Sequence, residues 1–554
     1  MTEPASGSQR GDFPVVVVGA AVVLSIYWGL YALLVPVTVW DSHTYNLARL
    51  LIARQGGLFG NDGWNSDRQV MFPWSFDAVH YPFLALGGWG VALPSFACFV
   101  GIAWVIFRLA REVRGTRTAW WCVLTLFSLP TLMYQASSTK NDLAVVFALA
   151  CWLYAFRLSR REPSRALLGW MALALGFAAG AKSSGVPLAL LLGAFSAWHL
   201  RGSKRALLEF SGALLVAAFL CGSVEIYANN KRVYGQWFGP AETINENRNR
   251  DGLRGAAANL VRYVVANQNM GIDVGLPAST FPAKLEHIAR TVLQATALKD
   301  VGYRADLDDA KLSFLKRGTE AASDYGPVGG LAILAAILFL FLGPIHSLRW
   351  RLASLGLGSL VLTSATVGWM PWNARFLLLP FILCSVALTI QILDWSGARR
   401  LPAAVWLAVL LFSALAYPWY SYNKRPKDLW DSLAHRPRLA MKERTNMKEV
   451  VDAVEQLGRP AHSHPTVFLC AGTDSWTLPL LQLRSVRCVP APGISPEDLG
   501  TARSEKDARY LLVLNHGLDP ALLPQLEWIQ TFAEPDTFLY RIRPETLPRP
   551  SPGP

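Results

Sequence analysis

Long runs of apolar residues alternate with short polar connectors along most of this chain. A helix needs about 20 apolar residues to cross the hydrocarbon core of a bilayer. Runs of this length include residues 13–35, 206–226, 328–345 and 401–417. Because such runs recur from residue 13 to residue 418, the pattern predicts a polytopic α-helical membrane protein.

The apolar runs divide into about eleven predicted spans. We place them at 13–35, 81–107, 119–135, 141–157, 166–181, 185–199, 206–227, 326–345, 352–369, 375–393 and 401–418. Short connectors rich in Lys and Arg mark the cytoplasmic side of a membrane protein. With this assignment the basic connectors at 108–117, 157–165, 201–205, 349–351 and 398–400 all fall on one side. The same topology puts the loops 36–80 and 228–325 outside the cytoplasm.

The two ends of the chain differ in character from its centre. Residues 1–12 are polar, and the apolar run that follows is too long for a signal-peptide core, so we expect a retained first span and a cytoplasmic N-terminus. From about residue 440 the composition is that of a soluble domain. A predicted helix at 447–457 and predicted strands at 466–470, 509–514 and 537–542 indicate a small extracytoplasmic α/β domain over 419–545. The Pro-rich tail at 546–554 is predicted to be disordered.

Composition and charge agree with this assignment. Of the 554 residues, 52% are hydrophobic and 16% are charged, whereas about a quarter of the residues of a soluble protein are charged. The net charge of +13 lies largely in the basic connectors, so topology accounts for it and nucleic acid is not an expected partner. Two of the seven cysteines, Cys470 and Cys488, lie in the C-terminal domain, where a disulfide between them is left open.

The loop after the first span carries more polar residues than a connector needs. Asp41 lies where that span meets water, and Tyr45 and Arg49 follow it at helical i+4 spacing. Taken alone, Asp41 is better explained as a helix N-cap. Arg68 and His80 lie in the same loop. The presence of these polar side chains in one loop favours a catalytic site in which Asp41 is the general base.

Two cations lie at the predicted outer ends of spans, against the usual charge bias. Lys182 and Arg375 could be snorkelling side chains, but charges at such depth are often functional, and both can bind a phosphate group. Asp142 follows Lys140 closely and opens the fourth span. It is either part of an N-cap or a second carboxylate that binds a metal ion or a cation.

These residues lie in motifs that resemble landmarks of the bacterial glycosyltransferase C superfamily. The nearest branch is the one related to protein O-mannosyltransferases and lipid A aminoarabinose transferase. The motifs are, in order, WDSHTYNLAR, an RQ followed by aromatic residues and prolines at 68–74, QASSTKNDL, ALGFAAGAKSSGVPL and WNARFLLLPF. The resemblance covers roughly residues 13–393, and it implies that 13–418 form the transferase domain.

The resemblance also implies an activity and roles for the residues. A sugar would move from a polyprenyl-phosphate-linked donor to a lipid, glycan or protein acceptor on the extracytoplasmic side of the plasma (inner) membrane, with inversion at the sugar. Asp41 would be the catalytic base, and Lys182 and Arg375 would bind the donor phosphate. We expect the supporting residues to be Tyr45, Arg68, His80, Lys140 and Asp142. No cofactor is firmly implied, and a divalent metal is left open.

The sequence departs from the family pattern at three positions near Asp41. Asn46 stands where the nearest relatives are expected to have His, and Ala48 stands where Pro is expected. Ser42 follows Asp41, whereas classical protein mannosyltransferases have a second acidic residue beside their loop aspartate. A role shared between adjacent carboxylates therefore does not carry over directly.

Two other functions remain as alternatives. In a transporter or flippase of lipid-linked sugars, the outer cations would bind phosphate without chemistry. Internal repeats would favour this class, and none is apparent in the sequence. In a non-catalytic assembly or scaffold protein, the C-terminal domain would be the working part.

Overall fold

The computed structural model describes the chain from residue 14 to residue 543 with gaps. The described ranges are 14–37, 41–56, 67–85, 90–161, 164–266, 280–303, 325–345, 347–370, 373–396, 400–420, 425–434, 447–458, 466–471, 486–491, 495, 499, 508–514, 518–532 and 537–543. Most of these residues are helical. The predicted N-terminal segment 1–12 and the Pro-rich tail 546–554 lie outside the described residues.

The first half of the chain forms a helical bundle with several short helices at one end. Its elements are α1 (Pro14–Leu34), a π-helix (Ser42–Asn46), α2 (Ala48–Gly56), α3 (Asp67–Met71), α4 (Ser75–Ala85), α5 (Leu93–Phe127), α6 (Pro130–Ala136), α7 (Asp142–Ser159), α8 (Arg165–Ala181), α9 (Gly185–Leu200) and α10 (Lys204–Leu220). The helix α5 breaks at Gly115, which has φ +82°. It therefore consists of two helices that meet in the basic connector, as the pattern predicts.

The second half adds a group of polar helices and a further set of apolar ones. These are α11 (Ser223–Tyr234), α12 (Ala241–Asn247), α13 (Gly252–Ala266), α14 (Thr280–Ala295), α15 (Gly326–Leu342), α16 (Leu348–Thr366), a 3₁₀-helix (Asn373–Leu377), α17 (Leu378–Ser396), α18 (Arg400–Tyr420) and α19 (Pro426–Ala434). We call the described residues 241–266 and 280–303 the lid segment. Its last helix is α14.

Several helices are long and apolar enough to cross a membrane. In the described part of the chain four single helices qualify, and α10 with α11, bent by 62°, forms a fifth candidate. Shorter apolar helices are also present at 165–181, 185–200, 326–342 and 400–416. The protein is therefore a polytopic membrane protein, and the count of eleven spans stays a prediction.

The predicted span 81–107 differs from the structure at its start. The helix α4 ends at Ala85, and α5 begins only at Leu93. Gly90 lies between them with φ +64°, and its backbone N–H donates to the carbonyl of Leu33 at 2.9 Å. A turn of this kind is favourable for glycine, which has no Cβ. It ends the apolar run that hydropathy alone reads as one helix.

Small residues let α8 approach α10 closely. A Cβ placed on Gly180 would lie 2.1 Å from the carbonyl oxygen of Cys221, and one on Gly176 would lie 2.8 Å from the carbonyl carbon of Ala217. Close approach of backbones at small residues is a common way for membrane helices to pack. The packing fixes the end of α8, which leads directly into Lys182.

The C-terminal region forms a helix, α20 (Lys448–Leu457), and a five-stranded mixed sheet. The strands are β1 (Thr466–Ala471), β2 (Val486–Ala491), β3 (Ala508–Leu514), β4 (Leu526–Phe532) and β5 (Thr537–Ile542), in the order β2-β1-β3-β5-β4. β1 is parallel to both β2 and β3, whereas β5 is antiparallel to β3 and β4. The three predicted strands are confirmed as β1, β3 and β5. Neither of the edge strands, β2 and β4, was predicted.

The cysteines of the helical bundle differ from Cys470 of the C-terminal region in their bonding state. Five of them, Cys98, Cys122, Cys151, Cys221 and Cys384, are free thiols. Cys470 on β1 is disulfide-bonded. Its pairing with Cys488 stays open, because the side chain of that residue lies outside the described part of the chain.

One cluster of buried apolar side chains joins the sheet to the bundle. Val450 of α20, Phe468 of β1 and Leu512 of β3 belong to this cluster. So do Leu47 and Leu51, which follow Asp41 in the chain, and all five side chains are buried. The segment that carries Asp41 is therefore packed against the C-terminal domain.

Candidate active site

Asp41 immediately precedes the π-helix, whose five residues Ser42–Asn46 are all buried. Single π-turns occur often at functional sites because they displace one side chain from the regular helical register. The Asp41 side chain makes no capping hydrogen bond to the backbone that follows it. The N-cap interpretation is therefore not realised, and the carboxylate is available for other partners.

The Asp41 carboxylate forms two ion pairs through one oxygen atom. Its Oδ2 lies 2.5 Å from an Nη atom of Arg375 and 3.1 Å from Nζ of Lys140. The side chains are 14%, 13% and 2% exposed for Asp41, Arg375 and Lys140. Residues from three distant parts of the chain thus meet in a nearly closed space.

A third ion pair lies beside these two. Nζ of Lys182 donates to Oδ1 of Asp142 at 2.6 Å. The side chain of Asn141 donates to the carbonyl of Ala181 at 2.6 Å, which ties the start of α7 to the end of α8. Asp142 thereby becomes a partner of a cation, the second of the two roles that its position allows.

Lys182 and Arg375 both lie close to the ring of Phe376. Lys182 Nζ lies 4.6 Å from its centroid, and the guanidinium carbon of Arg375 lies 5.2 Å from the same centroid. Both distances are within the range of a cation–π interaction. The ring therefore contacts two positive groups without neutralising either of them.

We call Asp41, Lys140, Asp142, Lys182 and Arg375 the charged cluster. It contains three cations and two carboxylates, so it carries one net positive charge when all five are ionised. Because the groups are buried, their interactions are stronger than in water. An excess of cations in such a space suits an anionic ligand.

The pKa values in the cluster follow from burial and from the neighbouring charges. Burial alone would raise the pKa of Asp41, but the Lys140 ammonium and the Arg375 guanidinium outweigh it and hold that pKa well below its usual value. Burial lowers the pKa of Lys140 and of Lys182 to about 8, against the opposing effect of the carboxylates. Asp41 is therefore ionised, and both lysines remain cations below about pH 8.

Tyr45 and Arg68 lie close to the charged cluster. The Tyr45 ring is buried and packs edge-on against Phe72, with centroids 5.3 Å apart. Burial raises the pKa of Tyr45 well above its usual value, and the charges of Asp41 and Asp142 raise it further, whereas Arg68 lowers it. The hydroxyl of Tyr45 is therefore a neutral hydrogen-bonding group next to the carboxylates.

His80 lies elsewhere. Its ring is fully buried, its Nδ1 donates to the carbonyl of Val91 at 2.6 Å, and it packs edge-on against Phe76 at 4.8 Å. Burial lowers its pKa to about 4, so the ring is neutral. Its described contacts support the turn before α5 rather than the charged cluster, unlike its expected place in the site.

A buried ion pair that sequence reasoning missed supports the loop. Arg49 pairs with Asp77, and its guanidinium donates to the carbonyls of Phe72 and Pro73 at 2.6 Å each. Asp77 also accepts from the side chain of Asn46 at 3.1 Å. These bonds tie the π-helix to the segment that follows α3. The position of Arg49 was noted in the sequence, but its partner could not be inferred from spacing.

No group of three or more His, Cys, Asp or Glu side chains that could hold a metal ion occurs among the residues that the structure describes. In the charged cluster the carboxylates of Asp41 and Asp142 are instead paired with lysine and arginine side chains. The residues present there fit a cation-lined anion site better than a divalent metal centre.

Residues 67–227 match the family model described as dolichyl-phosphate-mannose-protein mannosyltransferase. This segment includes Arg68, Lys140, Asp142 and Lys182, and it covers less than half of the chain. No curated protein sequence matches the chain.

The fold resembles that of solved membrane transferases. ArnT from Cupriavidus metallidurans bound to undecaprenyl phosphate has 13% sequence identity and a TM-score of 0.51, and the match covers 95% of this chain and 97% of that one. The Archaeoglobus fulgidus oligosaccharyltransferase matches at 13% identity with a TM-score of 0.45, covering 91% of this chain and 68% of that one. The mycobacterial arabinofuranosyltransferase AftD matches at 14% identity with a TM-score of 0.38, covering 96% and 40%.

The last two TM-scores are too low to support an inference, whereas the ArnT match extends over nearly the whole of both chains. The mannosyltransferase match covers the segment that supplies most of the charged cluster. The resemblance predicted from the motifs is therefore confirmed: the chain has the membrane fold of the glycosyltransferase C superfamily.

Proposed function

We propose that this protein is a membrane glycosyltransferase that moves a sugar from a polyprenyl-phosphate-linked donor to the hydroxyl group of an acceptor. The observation that carries the proposal is the charged cluster. In it the Asp41 carboxylate is paired with two cations, and the cluster as a whole has more cations than carboxylates. The match to a dolichyl-phosphate-mannose-dependent family supports the donor class. So does the likeness to ArnT, which was solved with undecaprenyl phosphate bound.

Lys182 and Arg375 are the proposed ligands of the donor phosphate. Both lie close to the ring of Phe376, and we expect both to reach one phosphate group. Arg can bind two phosphate oxygens at once, whereas Lys acts as a point charge. Each would need to loosen its present ion pair, with Asp41 or with Asp142. The net positive charge of the cluster makes this exchange favourable for a ligand that brings negative charge.

Asp41 is the proposed general base. In the resting cluster its carboxylate is paired with two cations, which makes it a weak base. A donor phosphate that draws Arg375 away would leave Asp41 with Lys140 alone and raise its basicity. Lys140, almost fully buried, would keep the carboxylate in place. Binding of the donor would in this way prepare the base for the acceptor.

The proposed reaction is a single displacement. Asp41 takes the proton of the acceptor hydroxyl as its oxygen bonds to the anomeric carbon of the sugar. The bond from that carbon to the phosphate oxygen breaks, and polyprenyl phosphate leaves with the electron pair. Lys182 and Arg375 stabilise the negative charge on the departing phosphate. Attack from the opposite face of the sugar inverts the anomeric centre.

The proposed setting is the plasma membrane, with the charged cluster on its extracytoplasmic side. The predicted topology supports this, because it puts the basic connectors in the cytoplasm and the Asp41 loop on the other side. Lipid, glycan and protein hydroxyl groups all remain candidate acceptors.

The test is transfer by the purified protein in lipid vesicles that contain a polyprenyl-phosphate-linked sugar. We expect sugar to appear on an added acceptor with inverted anomeric configuration, and Asp41→Asn to reduce formation of that product strongly. Movement of the donor across the bilayer without transfer would instead establish the transporter alternative. The absence of both sugar transfer and donor movement would favour the scaffold alternative.

A further inference from the structure

The short 3₁₀-helix that carries Arg375 is held by its first residue. Asn373 is 1% exposed, and its side-chain nitrogen donates to the hydroxyl of Tyr263 at 2.6 Å and to the carbonyl of Gly368 at 2.9 Å. A buried amide with two partners has a fixed position. Arg375 follows two residues later in the same turn. The position of Asn373 therefore determines the backbone position from which the Arg375 side chain extends.

A second tyrosine holds the next residue of the same turn. Tyr325, fully buried at the start of α15, donates its hydroxyl proton to the carbonyl of Ala374 at 2.7 Å. Its ring stacks on Phe381 of α17 with centroids 3.9 Å apart. The backbone just before Arg375 is thus restrained on two sides.

Tyr263 belongs to the lid segment, and the lid segment is bound firmly to the same region. The side chain of Asn259 donates to the carbonyls of Ser364 and Val367 at 3.2 and 3.1 Å. The backbone N–H of Trp369 donates to the carbonyl of Gly302 at 2.8 Å. Both connections lead from the lid segment to residues that directly precede the 3₁₀-helix.

A buried arginine also joins two parts of the lid segment. Arg262, next to Tyr263, is fully buried and donates to the carbonyls of Val301 and Lys299 at 2.6 and 2.8 Å. It therefore joins α13 to the turn after α14. A displacement of α13 would be passed to Asn373 through the Tyr263 hydroxyl rather than absorbed within the lid segment.

We propose that Tyr263 is a positioning residue that acts through Asn373 to place the guanidinium of Arg375 for the donor phosphate. The proposal rests on the proposed function and adds a residue on a different element, far from the charged cluster in sequence. In this role, the affinity for the donor phosphate depends on the position of the lid segment. Tyr263 itself touches neither donor nor acceptor in this role.

The test uses undecaprenyl phosphate alone as the ligand and full-length protein in lipid nanodiscs. Its affinity is measured for the unchanged protein, Tyr263→Phe, Arg375→Ala and the double variant. Loss of one buried hydrogen bond at the arginine turn should weaken binding by roughly three- to tenfold in Tyr263→Phe. In the Arg375→Ala background the same change should have no further effect, because the guanidinium that it positions is absent.

Tyr31→Phe is the matched control. Tyr31 is also buried, and its hydroxyl donates to Asp428 at 3.3 Å, between α1 and α19. This variant should bind undecaprenyl phosphate as the unchanged protein does. A comparison of melting temperatures then separates a general loss of stability, which both tyrosine variants would show, from a loss of positioning.

The outcomes separate the two proposals. If Arg375→Ala weakens binding and Tyr263→Phe does not, the positioning role is overturned while the phosphate site stands. An equal effect of Tyr263→Phe with and without Arg375 would also overturn it, since the tyrosine would then act by another route. If Arg375→Ala binds the lipid phosphate normally, the phosphate site itself is wrong, and the positioning role falls with it.

Discussion

Lys140 and Asp41 form an ion pair in which Nζ lies 3.1 Å from Oδ2, and the lysine is only 2% exposed. The pair joins the connector before α7 to the residue that precedes the π-helix. A buried lysine with no carboxylate nearby would be costly. Each side chain therefore depends on the other, and the proposed base is fixed in place before any substrate arrives.

Removal of the Asp41 charge should separate catalysis from donor binding. We expect Asp41→Asn to lower the rate of transfer by about 10²- to 10⁴-fold, the usual contribution of a general base. Binding of undecaprenyl phosphate should be retained or strengthened, because Arg375 then lacks its carboxylate partner. Rates in vesicles and affinity in nanodiscs check the two parts.

Asp67→Asn is the control for that change, since Asp67 is an exposed carboxylate bound to the Tyr234 hydroxyl at 3.0 Å. It should leave the rate nearly unchanged. Normal transfer by Asp41→Asn would rule out the assignment of the base.

Loss of either outer cation should weaken binding of the donor. A hydrogen bond to a charged group contributes about 1.5–3 kcal/mol, so Lys182→Ala and Arg375→Ala should each weaken binding of the polyprenyl-phosphate sugar by about 10- to 100-fold. The Michaelis constant for the donor and direct affinity measurements should agree. Lys231→Ala, which removes an exposed lysine bonded to the carbonyl of Gly235, should have little effect. Unchanged donor dependence in both cluster variants would remove them from the site.

Affinity for undecaprenyl phosphate should fall as the pH rises through about 8. Burial lowers the pKa of Lys182 from 10.5 to about 8, so this side chain is a cation below that pH and neutral above it. A phosphate monoester has its second pKa near about 6 and keeps a constant charge above about pH 7. The decrease therefore reports on the protein rather than on the ligand.

Lys182→Arg tests the origin of this pH dependence. Arginine stays charged throughout the accessible pH range. The variant should show a smaller decrease, with the remainder due to Lys140, whose pKa burial also lowers to about 8. The same decrease in both proteins would assign the pH dependence to other groups.

The pair of Arg49 and Asp77 should contribute strongly to stability. Both side chains are buried, at 4% and 0% exposed. Arg49→Ala leaves the Asp77 charge buried with one partner fewer, which we expect to cost about 3–5 kcal/mol. Arg541→Ala breaks an exposed pair with Glu527 in the sheet, where the cost should be below about 1 kcal/mol. Thermal unfolding in detergent should show a large decrease in melting temperature only for Arg49→Ala. Similar melting temperatures for the two variants would contradict the supporting role.

Much of the bundle follows from local pattern. Helices such as α7, α8 and α9 lie within a residue or two of their predicted positions, because each is a run of apolar residues between polar connectors. The turn at Gly90 was missed because the apolar run continues through it. The edge strands β2 and β4 were missed because each is specified by its neighbour in the sheet rather than by its own sequence.

The residues of the charged cluster could be recognised from the sequence, whereas the residues that hold them in place could not. Asp41, Lys140, Asp142, Lys182 and Arg375 were recognisable because charges at the ends of apolar runs are unusual. The partners Asp77, Tyr263 and Tyr325 were not recognisable, since nothing local shows which distant group each one contacts. His80 was grouped with the cluster by closeness in sequence, and its described contacts are elsewhere.

The apolar cluster shared by the loop and the sheet has a consequence for how the molecule is made. A chain is synthesised from its N-terminus, so Leu47 and Leu51 leave the ribosome long before Val450, Phe468 and Leu512, with which they share a core. Until the last hundred or so residues have been synthesised and folded, the Asp41 loop lacks part of its support. We therefore expect catalytic competence to be the last property that a newly made molecule acquires.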